Sequence, residues 1–255
     1  MVPELLYMIC GLTAGLIGGY LGLGGGEIIV PFLAIGLGVD IKAAVPVSVV
    51  AIVVNSMSSS TEYVRTGMVD MELTIAVAIF MVMGNITGST VSVAVSAQMV
   101  QAVLTVLLVY TAFSLLKGRP PRARLVFADN RRRYMGVVIA LSFLIGCVAG
   151  LVGVGGGVFL VPLLYLVIGC PLATARGTTS VIISISAASA AAVYFLHGAI
   201  DFAIVAPVVF GILIGGRIGG YFGTTAKPIV IRILFFVVML YLAYRLGAET
   251  VENWL

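Results

Sequence analysis

Gly22-Leu23-Gly24-Gly25-Gly26-Glu27-Ile28-Ile29-Val30-Pro31 returns 131 residues further on as Gly153-Val154-Gly155-Gly156-Gly157-Val158-Phe159-Leu160-Val161-Pro162. Three successive glycines in an apolar run leave the backbone bare, so its N–H groups can turn toward a ligand that side chains would otherwise block. The helix expected after each triplet adds the partial positive charge of its N-terminus, which favours an anion. A packing role competes with that reading, because Gly22/Gly26 and Gly153/Gly157 have the small-xxx-small spacing of closely approaching membrane helices. A dinucleotide fingerprint is excluded, since it would need glycine at Glu27 and Val158 and a soluble βαβ setting.

The same shift aligns the rest of the chain without a gap. It pairs Gly15 with Gly146, Gly19 with Gly150, Gly38 with Gly169, Gly67 with Gly198, Gly84 with Gly215 and Gly88 with Gly219. With the four motif glycines this makes ten matched pairs, where chance gives about one or two over roughly a hundred aligned positions. Pro31 with Pro162, Asp70 with Asp201 and Tyr110 with Tyr241 agree. The chain is an internal duplication.

Composition sets the medium. With 61% hydrophobic and 9% charged residues and a mean hydropathy of +1.22, the chain lacks the charged surface of a soluble domain. It reads as a polytopic membrane protein. Residues 1–22 have no basic start and carry Glu4, so they read as a retained segment rather than a leader. Seven of the fourteen Lys and Arg residues fall between Lys117 and Arg133, which marks a cytoplasmic loop rather than a nucleic-acid face. Cys10, Cys147 and Cys170 show no paired spacing, so neither a disulfide framework nor a metal site is expected.

Apolar segments run over 4–22, 27–39, 43–61, 72–95 and 98–116, and after the linker over 134–153, 158–170, 177–196, 202–223 and 228–246. The second of each five is too short to span: about twelve helical residues reach ~18 Å against a ~30 Å hydrocarbon core. It is expected to fold back at the glycine triplet, making a hairpin inside the membrane. Residues 1–116 are thus a first repeat, 117–133 a basic cytoplasmic linker and 134–255 a second repeat, each repeat a glycine-hinged hairpin plus three transmembrane helices. Odd crossings per half give inverted-topology repeats with both termini outside. Arg65 and Lys227 then fall inside, and Lys42 and Arg245 are exceptions. Inverted halves place a substrate between two mirrored broken helices.

The doubled glycine motif with its Val-Pro ending resembles the TauE/SafE sulfite exporter family. So do Ala175-Arg176-Gly177-Thr178-Thr179-Ser180 and the loops Gly67-Met68-Val69-Asp70 and Gly198-Ala199-Ile200-Asp201. The resemblance covers nearly the whole chain and implies export of sulfite, sulfonates or related small sulfur anions across the cell's inner membrane. The first half departs from it at Ala44-Val45-Pro46-Val47-Ser48, and Glu27 is an acid where the repeat has Val158.

The candidate substrate contacts are Gly24, Gly25, Gly26, Gly155, Gly156 and Gly157. With them go Arg176, Thr178, Thr179 and Ser180 at an expected helix start, and Ser48, which matches Thr179. An ordinary capped helix with an interfacial arginine is the plainer reading of the Arg176 segment. Asn55, with Ser56, Ser58, Ser59, Ser60 and Thr61, gives one helix a polar end that belongs in a cavity or against another helix. Arg217 is a candidate anion partner if it faces the cavity, and a snorkelling side chain if it does not. Gly211, Gly215, Gly219 and Gly223 read as a packing ladder. His197 and Asp201 fall in a solvated loop.

Glu27 is a candidate coupling residue, because an ionised carboxylate beside a bound anion would repel it unless protonated. A water-facing carboxylate at a helix N-terminus is the alternative. An inside-negative potential alone favours outward movement of an anion, so the expectation is potential-driven export without obligatory proton coupling. No cofactor is implied, and the partners are the lipid bilayer and a small sulfur anion; a homodimer is compatible with the sequence and not required by it. A membrane enzyme is disfavoured by the single His and the lack of His-Glu-x-x-His, Gly-x-Ser-x-Gly or an acidic metal cluster. A passive anion channel or a cysteine-based sulfur relay are the remaining alternatives to a carrier.

Overall fold

A computed structural model describes residues 2–116 and 127–225, with scattered positions between 236 and 248. Its helices are α1 (Val2–Leu21), α2 (Gly26–Pro31), α3 (Ile41–Arg65), α4 (Met71–Ala94), α5 (Ala97–Leu116), α6 (Phe127–Val152), α7 (Gly157–Leu163), α8 (Leu172–Leu196) and α9 (Phe202–Thr225). Short π-helical turns, Phe32–Gly36 and Leu164–Ile168, prolong α2 and α7. Among the described residues, the segments Pro3–Leu21, Ile41–Arg65, Met71–Ala94, Tyr134–Val152, Leu172–Leu196 and Phe202–Phe222 are long and apolar enough to cross a membrane. Every regular element among the described residues is helical, and the chain is a multi-pass membrane protein. Most of the segment expected over 228–246 lies outside the described residues, and residues 127–133 of the expected linker are the first turns of α6.

The duplication is written into the backbone. The positive-φ residues are Gly22, Gly24, Gly25, Gly38 and Gly67 with their counterparts Gly153, Gly155, Gly156, Gly169 and Gly198. Each is a position where a Cβ would strain the left-handed conformation, and each recurs at the same spacing. Gly25 (φ 90°) and Gly156 (φ 74°) form the N-caps of α2 and α7, so the chain reverses there and returns as a short helix. Asp70 caps α4 by accepting from the Leu73 amide at 2.9 Å, and its counterpart Asp201 accepts from the Ala203 amide at 2.9 Å.

The halves interlock rather than sit side by side. α1 packs along α9, and their counterparts α6 and α4 pack along each other, while α3 lies against its own counterpart α8. Glycine makes the first two contacts close. A Cβ at Gly215 or Gly219 would stand 2.2 Å from the Leu12 or Leu16 carbonyl oxygen, and one at Gly88 would stand 1.9 Å from that of Cys147. The ladder on α9 is therefore a packing device. The outer faces of α4 and α9 present Ile75, Ile79, Met83 and Ile86, and Phe210, Leu213, Ile214 and Ile218. In water such faces would aggregate; in lipid they are the solvated surface.

Two matched tyrosines pin the hairpins to the long helices. Tyr194 Oη donates to the Gly150 carbonyl at 2.7 Å, and Tyr63 Oη reaches the Gly19 and Tyr20 carbonyls at 3.4 Å. Removing the shorter bond leaves a buried carbonyl without its donor, so Tyr194→Phe should cost about 0.6–1.5 kcal/mol. Tyr63→Phe should cost less. Thermal melts of the two variants in detergent check the order. Lys42, one of the two exceptions in the loop-charge pattern, is held by the fold itself, since its ammonium donates to the Ser92 and Val95 carbonyls at the C-terminus of α4.

Candidate functional site

The two glycine triplets meet inside the bundle, buried on both sides. A Cβ on Gly26 would come within 2.6 Å of the Gly153 oxygen, and one on Gly157 within 2.8 Å of the Leu23 oxygen. The space around them is taken by Ile52 of α3 and its counterpart Ile183 of α8, whose methyl groups lie against Gly24, Gly26, Gly155 and Gly157. All six triplet glycines are buried, and the described residues supply no hydrogen-bond acceptor for the Gly24, Gly25 and Gly26 amides. The triplets thus serve close packing and hold unpartnered donors together. They are the apolar waist between two polar lobes.

The first lobe lies where α8 passes the end of α3. Arg176, Thr179 and Ser180 share one face of α8 at i, i+3 and i+4. Arg176 is only 7% exposed, with its guanidinium 5.9 Å from the Tyr20 ring centroid. Its Cβ abuts Gly22, at the entry to the first triplet. Across the interface, Ser180 Oγ lies 2.9 Å from Ser59 Oγ and 3.3 Å from the Ser56 carbonyl oxygen. Asn55 Nδ2 donates to the Gly24 carbonyl at 2.7 Å, fastening the triplet to α3. Three polar atoms here, Asn55 Oδ1, Ser56 Oγ and Thr179 Oγ1, are enclosed without a hydrogen-bond partner. Buried orphans of this kind mark space for a polar ligand or water.

The second lobe is the first lobe's counterpart, and the position that matches Arg176 has no charge. Val45, Val49, Ala187 and Ala190 stand where the first lobe has Arg176, Ser180, Ser56 and Ser59. Ser48, the match of Thr179, is used up by the Gly153 carbonyl at 2.7 Å. Yet the second lobe is not wholly apolar, because the polar groups have changed helix. Asn55 and Ser59 on α3 face Gly216 and Gly220 on α9; the matching positions are Ser186 and Ala190 on α8, and Asn85 and Ser89 on α4. Each lobe keeps one Asn and one Ser opposite small residues, while the arginine is in one lobe alone.

Several sequence expectations change. α8 begins at Leu172 behind Pro171, so Arg176 to Ser180 lie one to two turns inside the helix. Their amides belong to the helical ladder, and they present side chains rather than free N–H groups. Thr178 is engaged structurally, accepting from the Asp70 amide at 3.0 Å. Arg217 is exposed on the outer face of α9, away from either lobe, as a snorkelling residue is. Glu27 is fully enclosed instead of facing water. Asn85, Ser89 and Ser92, all buried on α4, were hidden inside an apolar spanning segment; their i, i+4, i+7 spacing is the signal that could have shown them. Among the described residues no three metal-ligating side chains cluster and no disulfide joins the cysteines, of which Cys10 and Cys170 are enclosed.

The model of the sulfite exporter TauE/SafE family matches residues 7–246. A probable membrane transporter protein, YunE, of Bacillus subtilis (strain 168) is 25% identical, over 96% of this chain and 97% of its own length. A probable membrane transporter protein of Xylella fastidiosa (strain Temecula1 / ATCC 700964) is 24% identical, over 94% of this chain and 95% of its own. No solved structure matches the chain. A duplicated multi-pass helical protein with paired glycine hairpins, matched by that family's model over nearly its full length, belongs to the TauE/SafE sulfite exporter family of membrane transporters.

Proposed function

We propose that this protein exports a small sulfur-containing anion, such as sulfite or an organosulfonate, across the inner membrane through one binding site in the Arg176 lobe. The observation that carries the reading is the buried Arg176 on the same helix face as Thr179 and Ser180, opposite Ser56 and Ser59. A guanidinium and hydroxyl groups are the donors a tetrahedral or pyramidal oxyanion needs. A charge enclosed at membrane depth is retained where it has a function. Asn55 and the Gly24 to Gly26 amides close the lobe on its hairpin side. The second lobe, with Val45 in place of Arg176, serves as the onward station, and the Ile52/Ile183 waist separates the two.

Transport follows by alternating access of two inverted-topology halves, the hairpins flexing at Gly24-Gly25-Gly26 and Gly155-Gly156-Gly157. The linker 117–133 is cytoplasmic and both termini are outside. Cysteines placed at Ala123 and Ser96, with the native three removed, should label from opposite sides of the membrane; labelling from one side would end the inverted arrangement. Tracer counterflow in proteoliposomes with sulfite, sulfate, thiosulfate and methanesulfonate tests the function. Exchange accelerated by unlabelled anion on the far side is the expected result. Equal rates with and without that anion would show a channel.

A further inference from the structure

We infer that Glu27 holds a proton while the anion is bound and carries it across with the anion, an inference that rests on the function proposed above. Glu27 opens α2 with its side chain wholly enclosed, and neither carboxyl oxygen meets a hydrogen-bond donor from another residue. Its own amide is the sole donor acting on it. α2 packs against α3, α1 and its own π-turn. The titratable groups on those elements are Glu4, Tyr7, Cys10 and Tyr20 of α1 and Lys42, Glu62, Tyr63 and Arg65 of α3. None of them is an ionic partner of the Glu27 carboxyl.

An ionised carboxylate held that way, without a counter-ion and with no donor but its own amide, is strongly disfavoured, whereas the neutral acid is tolerated. The hairpin does not need the acid for its shape, because the matching position in the other hairpin is Val158, also buried. The site the anion would occupy is close. Gly24 touches both Ser56 and Asn55, and three residues of chain put Glu27 no more than ~11 Å from Gly24. Two negative charges enclosed in one interior of low dielectric repel. Anion binding therefore favours the protonated acid, and by reciprocity the protonated acid favours anion binding. The proton adds to the carboxylate oxygen on the side where the anion enters and leaves to water where the anion is released. A monoanion so carried moves no net charge, and a dianion moves one.

Two measurements test this. Infrared difference spectra of wild type against Glu27→Gln in nanodiscs at neutral pH should show a carboxylic-acid C=O band that the variant lacks. In proteoliposomes, sulfate, thiosulfate and methanesulfonate stay ionised near neutral pH, so the pH dependence of their flux reports the protein. Net flux of whichever is transported should rise several-fold when the loading side is made one pH unit more acidic. Glu27→Gln and Glu27→Val should still exchange label but lose that dependence. Absence of the acid band, an unchanged pH dependence in Glu27→Gln, or flux governed by sodium instead of pH would overturn the inference. If no anion exchanges in wild type the proposed function falls, and the infrared spectrum still decides whether Glu27 holds a proton.

Discussion

Arg176→Gln is expected to abolish anion binding while the protein still inserts and folds. Removing the charged partner of a buried, hydrogen-bonded anion costs about 2–5 kcal/mol, roughly 30-fold in affinity at the low end and thousands-fold at the high end. Arg176→Lys should fail almost as badly, because an ammonium cannot reproduce the planar fork of donors. The control is built into the duplication. Val45 is the counterpart of Arg176, abutting Gly153 as Arg176 abuts Gly22, so Val45→Gln should leave affinity within about twofold if the lobes differ as described. Equilibrium binding of labelled anion to the purified variants separates these outcomes. Equal losses in both would mean that the site straddles the waist.

The second large effect concerns assembly. Gly88→Ala should sharply reduce the yield of folded protein, since its new Cβ would sit 1.9 Å from the Cys147 carbonyl oxygen. Backbone on both sides cannot give way cheaply, so α4 and α6 must separate. Overpacking of this kind costs about 1–3 kcal/mol and can exceed it. Gly136→Ala on the same α6 meets nothing within 4 Å and should be neutral or stabilising by up to ~1 kcal/mol, the usual gain of alanine over glycine in a helix. Size-exclusion profiles and melting temperatures of the two variants should therefore move in opposite directions.

The duplication was legible because its signal is local: a glycine needed for a left-handed turn is needed again wherever the turn recurs. Every positive-φ glycine in the described residues pairs at that one spacing. Burial was less legible, because it depends on contacts made between halves. Glu27 reads as a water-facing dipole partner until Gly26 beside it is seen against Gly153 and Val154 of the other hairpin. The start of α8 was misplaced for a related reason. Gly177 looks like a boundary, yet it sits inside the helix so that the Met68 carbonyl can approach, 2.0 Å from where its Cβ would be. Pro171 as N-cap was the correct marker. The exchange of Asn55 and Ser59 for Asn85 and Ser89 could not be seen without knowing that α3 packs on α9 and α8 on α4.

Lys42 shows the same limit in reverse. As a loop charge it argued against the expected topology, but in the fold it closes the C-terminus of α4. A cation held by helix carbonyls says little about which side of the membrane it faces.

One lobe, and not its counterpart, is proposed to hold the anion. Crystals of the protein grown with selenite or selenate in place of the sulfur oxyanion would settle it through the anomalous scattering of selenium. A single peak is expected within hydrogen-bonding reach of Arg176 and the hydroxyls of Thr179 and Ser180. A peak beside Val45 and Ser48, or one at the glycine triplets with none at Arg176, would contradict it.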